Sequence, residues 1–158
     1  MDFADFIIKK AIKPRLEAKQ KEEAIREMVH ALVDSGEIGS DQYDGIVQKV
    51  LDREQLGSTG IGRGVAVPHT KHPSVERLCG AVAVSEGGVE FSSLDGDPVN
   101  ILFLLVSPPD RPGDHLRALE NVSRKLRDDQ FCRLLRQSNT SDDVWQLLMD
   151  ADKDQFGS

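Results

Sequence analysis

The sequence predicts an α/β fold, a mixed β-sheet flanked by helices on both faces. Three observations predict it. Amphipathic helical patterns occupy both ends of the chain, and several short strand-like runs lie between them. One of those runs, Val99 to Val106, is apolar at nearly every position, as a strand buried on both faces requires. Regular alternation of strand and helix is not evident, so a doubly wound nucleotide-binding sheet is not expected. At 158 residues the chain has the size of one domain that buries its own core. A single domain is expected over 1–152 with a frayed tail over 153–158, because the sequence from Asp150 onward is polar and closes on Gly157-Ser158.

Taken in order, the first element is a helix. Ala24, Ile25, Met28, Val29, Leu32 and Val33 recur at helical spacing between Gln20 and Val33, with Lys21, Glu22, Glu23, Arg26 and Glu27 on the other side, and Gly36 ends the pattern. Ser40, followed by Asp41, reads as the N-cap of a second helix that carries Ile46, Val47, Val50 and Leu51 and reaches Arg53. Gly57-Ser58-Thr59-Gly60-Ile61-Gly62-Arg63-Gly64 is too rich in glycine for a helix or a straight strand and is expected to be a loop. Val65-Ala66-Val67 then reads as a short strand, held extended at its end by Pro68, which places His69 on a loop just past it.

Ala81 to Val84 and Val89 to Phe91 read as two further strands with Glu86-Gly87-Gly88 turning between them, and Asp95-Gly96-Asp97-Pro98 as another turn before the buried strand. The proline-rich run Pro108 to Gly113 stops that strand. Asp114 is expected to cap a helix carrying His115, Leu116, Leu119, Val122 and Leu126, and a shorter helical piece covers Phe131 to Arg136. Thr140 or Ser141 caps the last helix, with Asp142 and Asp143 at its positive end and Val144, Trp145, Leu147 and Leu148 facing inward. Trp145 is expected to anchor the core.

Composition narrows the function classes. Hydrophobic residues make up 39% and charged residues 30% of the chain, which is ordinary for a soluble globular protein. The longest apolar stretch, Ile101 to Val106, is too short to cross a bilayer. Met1-Asp2-Phe3-Ala4-Asp5 has acids where a secretory signal has a basic region, so a cytoplasmic protein without membrane insertion is expected. A net charge of −7 with no basic stripe argues against nucleic acid or anionic membrane as partner. Cys79 and Cys132 each lack a nearby second cysteine and are expected to pack as small hydrophobes.

The densest chemical signal runs from Arg53-Glu54 through the glycine segment to Val67-Pro68-His69-Thr70. It brings together a guanidinium, two hydroxyls, a backbone open to close approach and an imidazole, a combination that suits a phosphate. A neutral imidazole attacks phosphorus directly, and cations with backbone N–H groups stabilise the charge of a phosphoryl group in flight. Arg53 is the best cation available. The glycine spacing leads into a strand, whereas a dinucleotide fingerprint opens a helix, and no Gly-Lys-Ser/Thr follows. His69, His72 and His115 also suggest a metal-dependent hydrolase, but prolines bracket the first pair and no further ligand cluster accompanies them, so no metal is expected. His30, inside the first helix, is expected to be structural. No cofactor is expected.

Arg53-Glu54-Gln55-Leu56-Gly57-Ser58-Thr59-Gly60-Ile61-Gly62 running into Val67-Pro68-His69 resembles the enzyme IIA family of the bacterial phosphotransferase system, of the fructose/mannitol and nitrogen-regulatory type. Pro98 to Leu105, Asp114-His115-Leu116, Phe131 to Leu135 and Ser141-Asp142-Asp143 match that family in order and spacing. The resemblance implies the mannitol/fructose-type sandwich. It also implies that His69 takes a phosphoryl group from HPr or an HPr-like protein of the nitrogen branch, and passes it to a IIB domain or uses it as a signal to a regulatory target. By the same carry-over Arg53 compensates phosphate charge, His115 contacts the phosphohistidine, and Ser58, Thr59 and Gly60 shape the phosphate loop. Thr70 stands where the family often has a small residue such as glycine, and Lys71 adds a cation beside it. No IIB-like cysteine loop and no membrane segment are present in the sequence, which favours the nitrogen-regulatory kind. The alternative is a regulatory module of the same fold that binds a protein without being phosphorylated.

Overall fold

The computed structural model describes residues 1–153. Its centre is β6 (Val99–Ser107), buried almost throughout. On one side β6 pairs antiparallel with β5 (Cys79–Val89), which in turn pairs parallel with β1 (Ile7–Lys13). On its other side β6 pairs parallel with β3 (Val65–Ala66) and then, further along, with β4 (His69–Lys71), while β2 (Gly60–Gly62) closes that edge antiparallel to β3. The sheet is therefore mixed.

Strand periodicity divides the core into two layers. Leu102, Leu104 and Val106 of β6 and Ala81 and Ala83 of β5 face a cluster completed by α2 (Lys21–Asp34) and α3 (Tyr43–Gln55). Ile101, Phe103 and Leu105 with Val82 and Val84 face the other way, against α1 (Phe3–Phe6), α4 (Pro112–Lys125), α5 (Asp129–Arg136) and α6 (Ser141–Asp152). Helices thus cover both faces, as the pattern predicts. Trp145 packs against this second cluster, and Phe3 lies against Phe103 and Phe131. No helix among the described residues is long and apolar enough to cross a membrane.

Several local expectations are corrected. Ser40 does not cap the second helix with its side chain; it opens a 3-10 turn, Ser40–Gln42, that leads into α3 behind Gln42. The glycine segment is not all loop, since Gly60–Gly62 forms β2 and the turn to β3 is made by Gly62, Arg63 and Gly64, all at positive φ. Backbone pairing needs no side chain, so glycine density there counts for less than the turn it permits. The two strands expected over Ala81 to Phe91 are one, β5, with its register shifted between Val84 and Val89. There the Gly88 N–H donates to Ser85 Oγ, and Asn100 Nδ2 donates to the Ser85 carbonyl. Gly88 sits at φ 85°, and a Cβ on it would meet Pro98 at 2.8 Å.

Asp114 lies inside the first turn of α4, which begins at Pro112 behind Arg111, so it is not the cap. Proline fits the first helical position because its missing N–H has no partner there to lose. Thr140 does cap α6, accepting from the Asp143 N–H. That helix continues through Asp152, whose carboxylate accepts from the Phe3 and Ala4 N–H groups. Residues 154–158 of the expected tail lie outside the described residues. The strand β1, without a signal in the sequence, pairs along one side only and carries exposed Lys9 and Lys10, which hide its apolar pattern.

Candidate functional site

β3 and β4 run along the same side of β6 and are separated only by Val67-Pro68. Pro68 has no N–H to give to a ladder, although its carbonyl accepts from the Leu105 N–H. The interruption turns the Val67 carbonyl to a new partner, His69 Nδ1, at 2.7 Å. His69 is therefore the first residue of a strand rather than a loop residue, a correction that fixes its backbone against Leu105 of the central strand. A carbonyl oxygen only accepts, so Nδ1 carries the hydrogen and Nε2 holds the free lone pair. Burial and the Arg53 charge lower the His69 pKa, while the hydrogen bond to Val67 and the Glu54 charge oppose them. Near neutral pH the imidazole is unprotonated and its Nε2 is nucleophilic.

His115 enters from the first turns of α4, on the same face of the sheet. Its ring lies 5.4 Å from that of His69, tilted by 59°. It is buried, and its Nδ1 lies 2.5 Å from Ser107 Oγ at the end of β6. Burial above all, with the charges of His69 and Lys71, pushes its pKa down to about 4. Arg53, in the last turn of α3, is half-buried, and its Nη1 donates to the Gly57 carbonyl at 2.9 Å. This contact points the cation along the glycine segment, and its charge is felt at His69.

Behind these groups lies a buried carboxylate that the sequence reading missed. Glu54 accepts from the Thr59 N–H at 3.2 Å and from the Thr59 hydroxyl, and pairs with Lys21 Nζ from α2 at 3.0 Å. The Thr59 carbonyl in turn accepts from the Val67 N–H. Two residues, Thr59 and Val67, therefore link the Glu54 anchor to His69 Nδ1. The signal for Glu54 was its place on the buried stripe of α3, one turn beyond Val50 and two beyond Val47. Ser58 Oγ donates to the Phe91 carbonyl and accepts from the Gly60 N–H. The hydroxyls of Ser58 and Thr59 are thus engaged within the segment, where they hold its shape. A Cβ on Gly60 would meet Ser93 Oγ at 2.5 Å, which is why the close approach needs glycine.

Other candidates lie elsewhere. His72 is turned to Ser74 Oγ at 2.6 Å and has its ring near Gly45. His30 is exposed on α2 and pairs with Asp34 at 3.1 Å. Arg63 is committed to Asp129, so it does not duplicate Arg53. Among the described residues, no three His, Cys, Asp or Glu side chains group so as to hold a metal. Cys79 and Cys132 are buried, and burial pushes the Cys79 thiol up to about 12 and raises that of Cys132. Both behave as core residues.

Residues 5–151 match the protein family described as "Phosphoenolpyruvate-dependent sugar phosphotransferase system, EIIA 2". A nitrogen regulatory protein of Bradyrhizobium diazoefficiens is 34% identical over 148 residues, covering 94% of this chain and 95% of that one. The fructose-specific EIIABC component of Bacillus subtilis is 33% identical over 153 residues, which are 97% of this chain but 24% of that larger protein. Among solved structures, the nitrogen regulatory protein IIA-Ntr of Neisseria meningitidis superposes with a TM-score of 0.83 at 27% identity, covering 92% of this chain and 98% of that one.

Proposed function

We propose that this chain, which belongs to the EIIA 2 family of the phosphoenolpyruvate-dependent sugar phosphotransferase system, is a phosphocarrier that accepts a phosphoryl group on His69 and hands it on. The observation that carries this reading is the 2.7 Å bond from His69 Nδ1 to the Val67 carbonyl, which leaves the free lone pair on Nε2 of a ring that has a second imidazole 5.4 Å away and feels the Arg53 charge. The donor is HPr or an HPr-like protein of the nitrogen branch, carrying its own phosphohistidine. In the first transfer, His69 Nε2 attacks phosphorus, the bond from phosphorus to the donor nitrogen breaks, and that nitrogen keeps the electron pair. His69 becomes a phosphoimidazolium whose Nδ1–H continues to donate to Val67. Arg53 stabilises the charge spread over the phosphoryl oxygens as they pass, and His115 contacts the phosphoryl group.

In the second transfer the acceptor is a IIB domain, whose cysteine thiolate takes the phosphoryl group as the bond to Nε2 breaks, or the phosphorylation state is itself the signal to a regulatory target. We favour the nitrogen-regulatory role, supported by the nearly full-length match to a nitrogen regulatory protein. The match to part of an EIIABC component supports the sugar-transport alternative. Both roles place the protein in the cytoplasm. Incubation with radiolabelled phosphoenolpyruvate, enzyme I and HPr, or their nitrogen-branch equivalents, is expected to label the chain on one histidine. Absence of label with every donor, or equal labelling of His69→Ala, contradicts the reading.

A further inference from the structure

Ser107 has no role in the chemistry described so far, yet it is a hydroxyl with no solvent access (0% exposed) at the end of the central strand. Its register partner is Lys71, two residues beyond His69, so strand periodicity puts the Ser107 side chain on the His69 and His115 face of the sheet. Among the described residues its Oγ has one hydrogen-bond partner, His115 Nδ1 at 2.5 Å. A hydroxyl accepts through either lone pair but has a single hydrogen to donate. If Nδ1 were the donor, the Ser107 hydrogen would be left without an acceptor in a place closed to water, a loss that buried groups avoid. With Ser107 donating, both groups are satisfied.

Resting on the phosphocarrier reading of His69, we infer that Ser107 is a positioning residue, donating to His115 Nδ1 and thereby fixing His115 as the tautomer with hydrogen on Nε2. The two imidazoles are then set in opposite tautomers by two different acceptor and donor choices. Val67 leaves a bare Nε2 on His69 for attack, and Ser107 leaves an Nε2–H on His115 that donates to a phosphoryl oxygen. The depressed His115 pKa fits this arrangement, because the ring stays neutral and its donor is fixed by hydrogen bonding rather than by charge. In the sequence, Ser107 reads only as the polar end of an apolar run.

The test begins on the unmodified protein and needs no phosphoryl donor. Long-range proton–nitrogen NMR spectra of the His115 ring near neutral pH are expected to show Nδ1 as an unprotonated acceptor and Nε2 as protonated. A protonated Nδ1, or two nitrogens averaged between tautomers, overturns the inference. In rapid-mixing phosphorylation, Ser107→Ala is expected to lower the transfer rate by about tenfold without changing the KM for the donor protein, and Ser107→Thr, which keeps the hydroxyl, to restore it. A wild-type rate in Ser107→Ala, or no recovery in Ser107→Thr, also overturns it. Failure of the wild-type chain to take up label would refute the phosphocarrier reading while leaving the tautomer measurement to decide on Ser107.

Discussion

Burial lowers the basicity of both His69 and His115, but the proposed reaction gives them opposite roles, one attacking and one donating. What separates them from an ordinary core histidine pair is Arg53, whose guanidinium is held at the Gly57 carbonyl and whose charge reaches His69. A cation at a site of developing charge acts mainly on the transition state. Arg53→Ala is therefore expected to slow phosphorylation by about 10²-fold with little change in melting temperature, as rapid-mixing kinetics and thermal unfolding would show together. An unchanged rate would shift the electrostatic role to Lys71, since Arg63 is occupied with Asp129. The two histidines also set an acid limit on stability. His115 has a folded pKa of about 4 against about 6.5 when unfolded. Between those values the unfolded chain binds more protons, so stability is complete above the unfolded value and falls as pH drops. The loss is on the order of 3 kcal/mol. Urea denaturation across this range is expected to show that slope, and His115→Gln is expected to flatten it.

At the scale of elements, the glycine hairpin β2–β3 and the C-terminal end of α3 are joined by Glu54, which receives Thr59 on one side and Lys21 on the other. Removing one partner of such a network leaves the others buried and unpaired. Glu54→Ala is expected to cost about 3 kcal/mol of stability and to lower the His69 pKa further, because the Glu54 charge now supports the protonated ring. Chemical denaturation and an NMR titration of His69 check the two effects; stability lost with the His69 titration unmoved would show that the hairpin is held apart from the imidazole. Legibility in the sequence followed the same physics. α2, α3, α6 and β6 are plain because their apolar spacing matches a core on one or both sides. β1 is hidden because Lys9 and Lys10 sit exposed in an edge strand, and the unity of β5 is hidden because Ser85 and Gly88 absorb an irregularity that reads as a turn.

Across the whole molecule, the site exists because β6 is central. Its later residues pair with β4, which carries His69, and its last residue meets His115 from the helix that follows. His69, Arg53 and the glycine segment were visible as a local motif, and the place of His115 beside them came from resemblance. Lys21 and Ser107 had no motif to announce them, and Glu54 stood inside the motif without a role assigned to it, because their importance lies in which partner each one satisfies. Exposed apolar side chains stand around this region: Leu56 just beyond α3, Ile61 on β2, Leu94 bonded through its backbone to Gly60, and Leu116 next to His115. On the phosphocarrier reading, they would be apolar surface for a protein donor or acceptor to dock against. All of this rests on His69 Nε2 as the atom that takes the phosphoryl group. The most direct measurement is nitrogen NMR of the protein phosphorylated by its donor, with phosphorus coupling read at each ring nitrogen. Coupling to His69 Nε2, with Nδ1 still protonated, is the expected result. Coupling to Nδ1, or to any histidine other than His69, would contradict it.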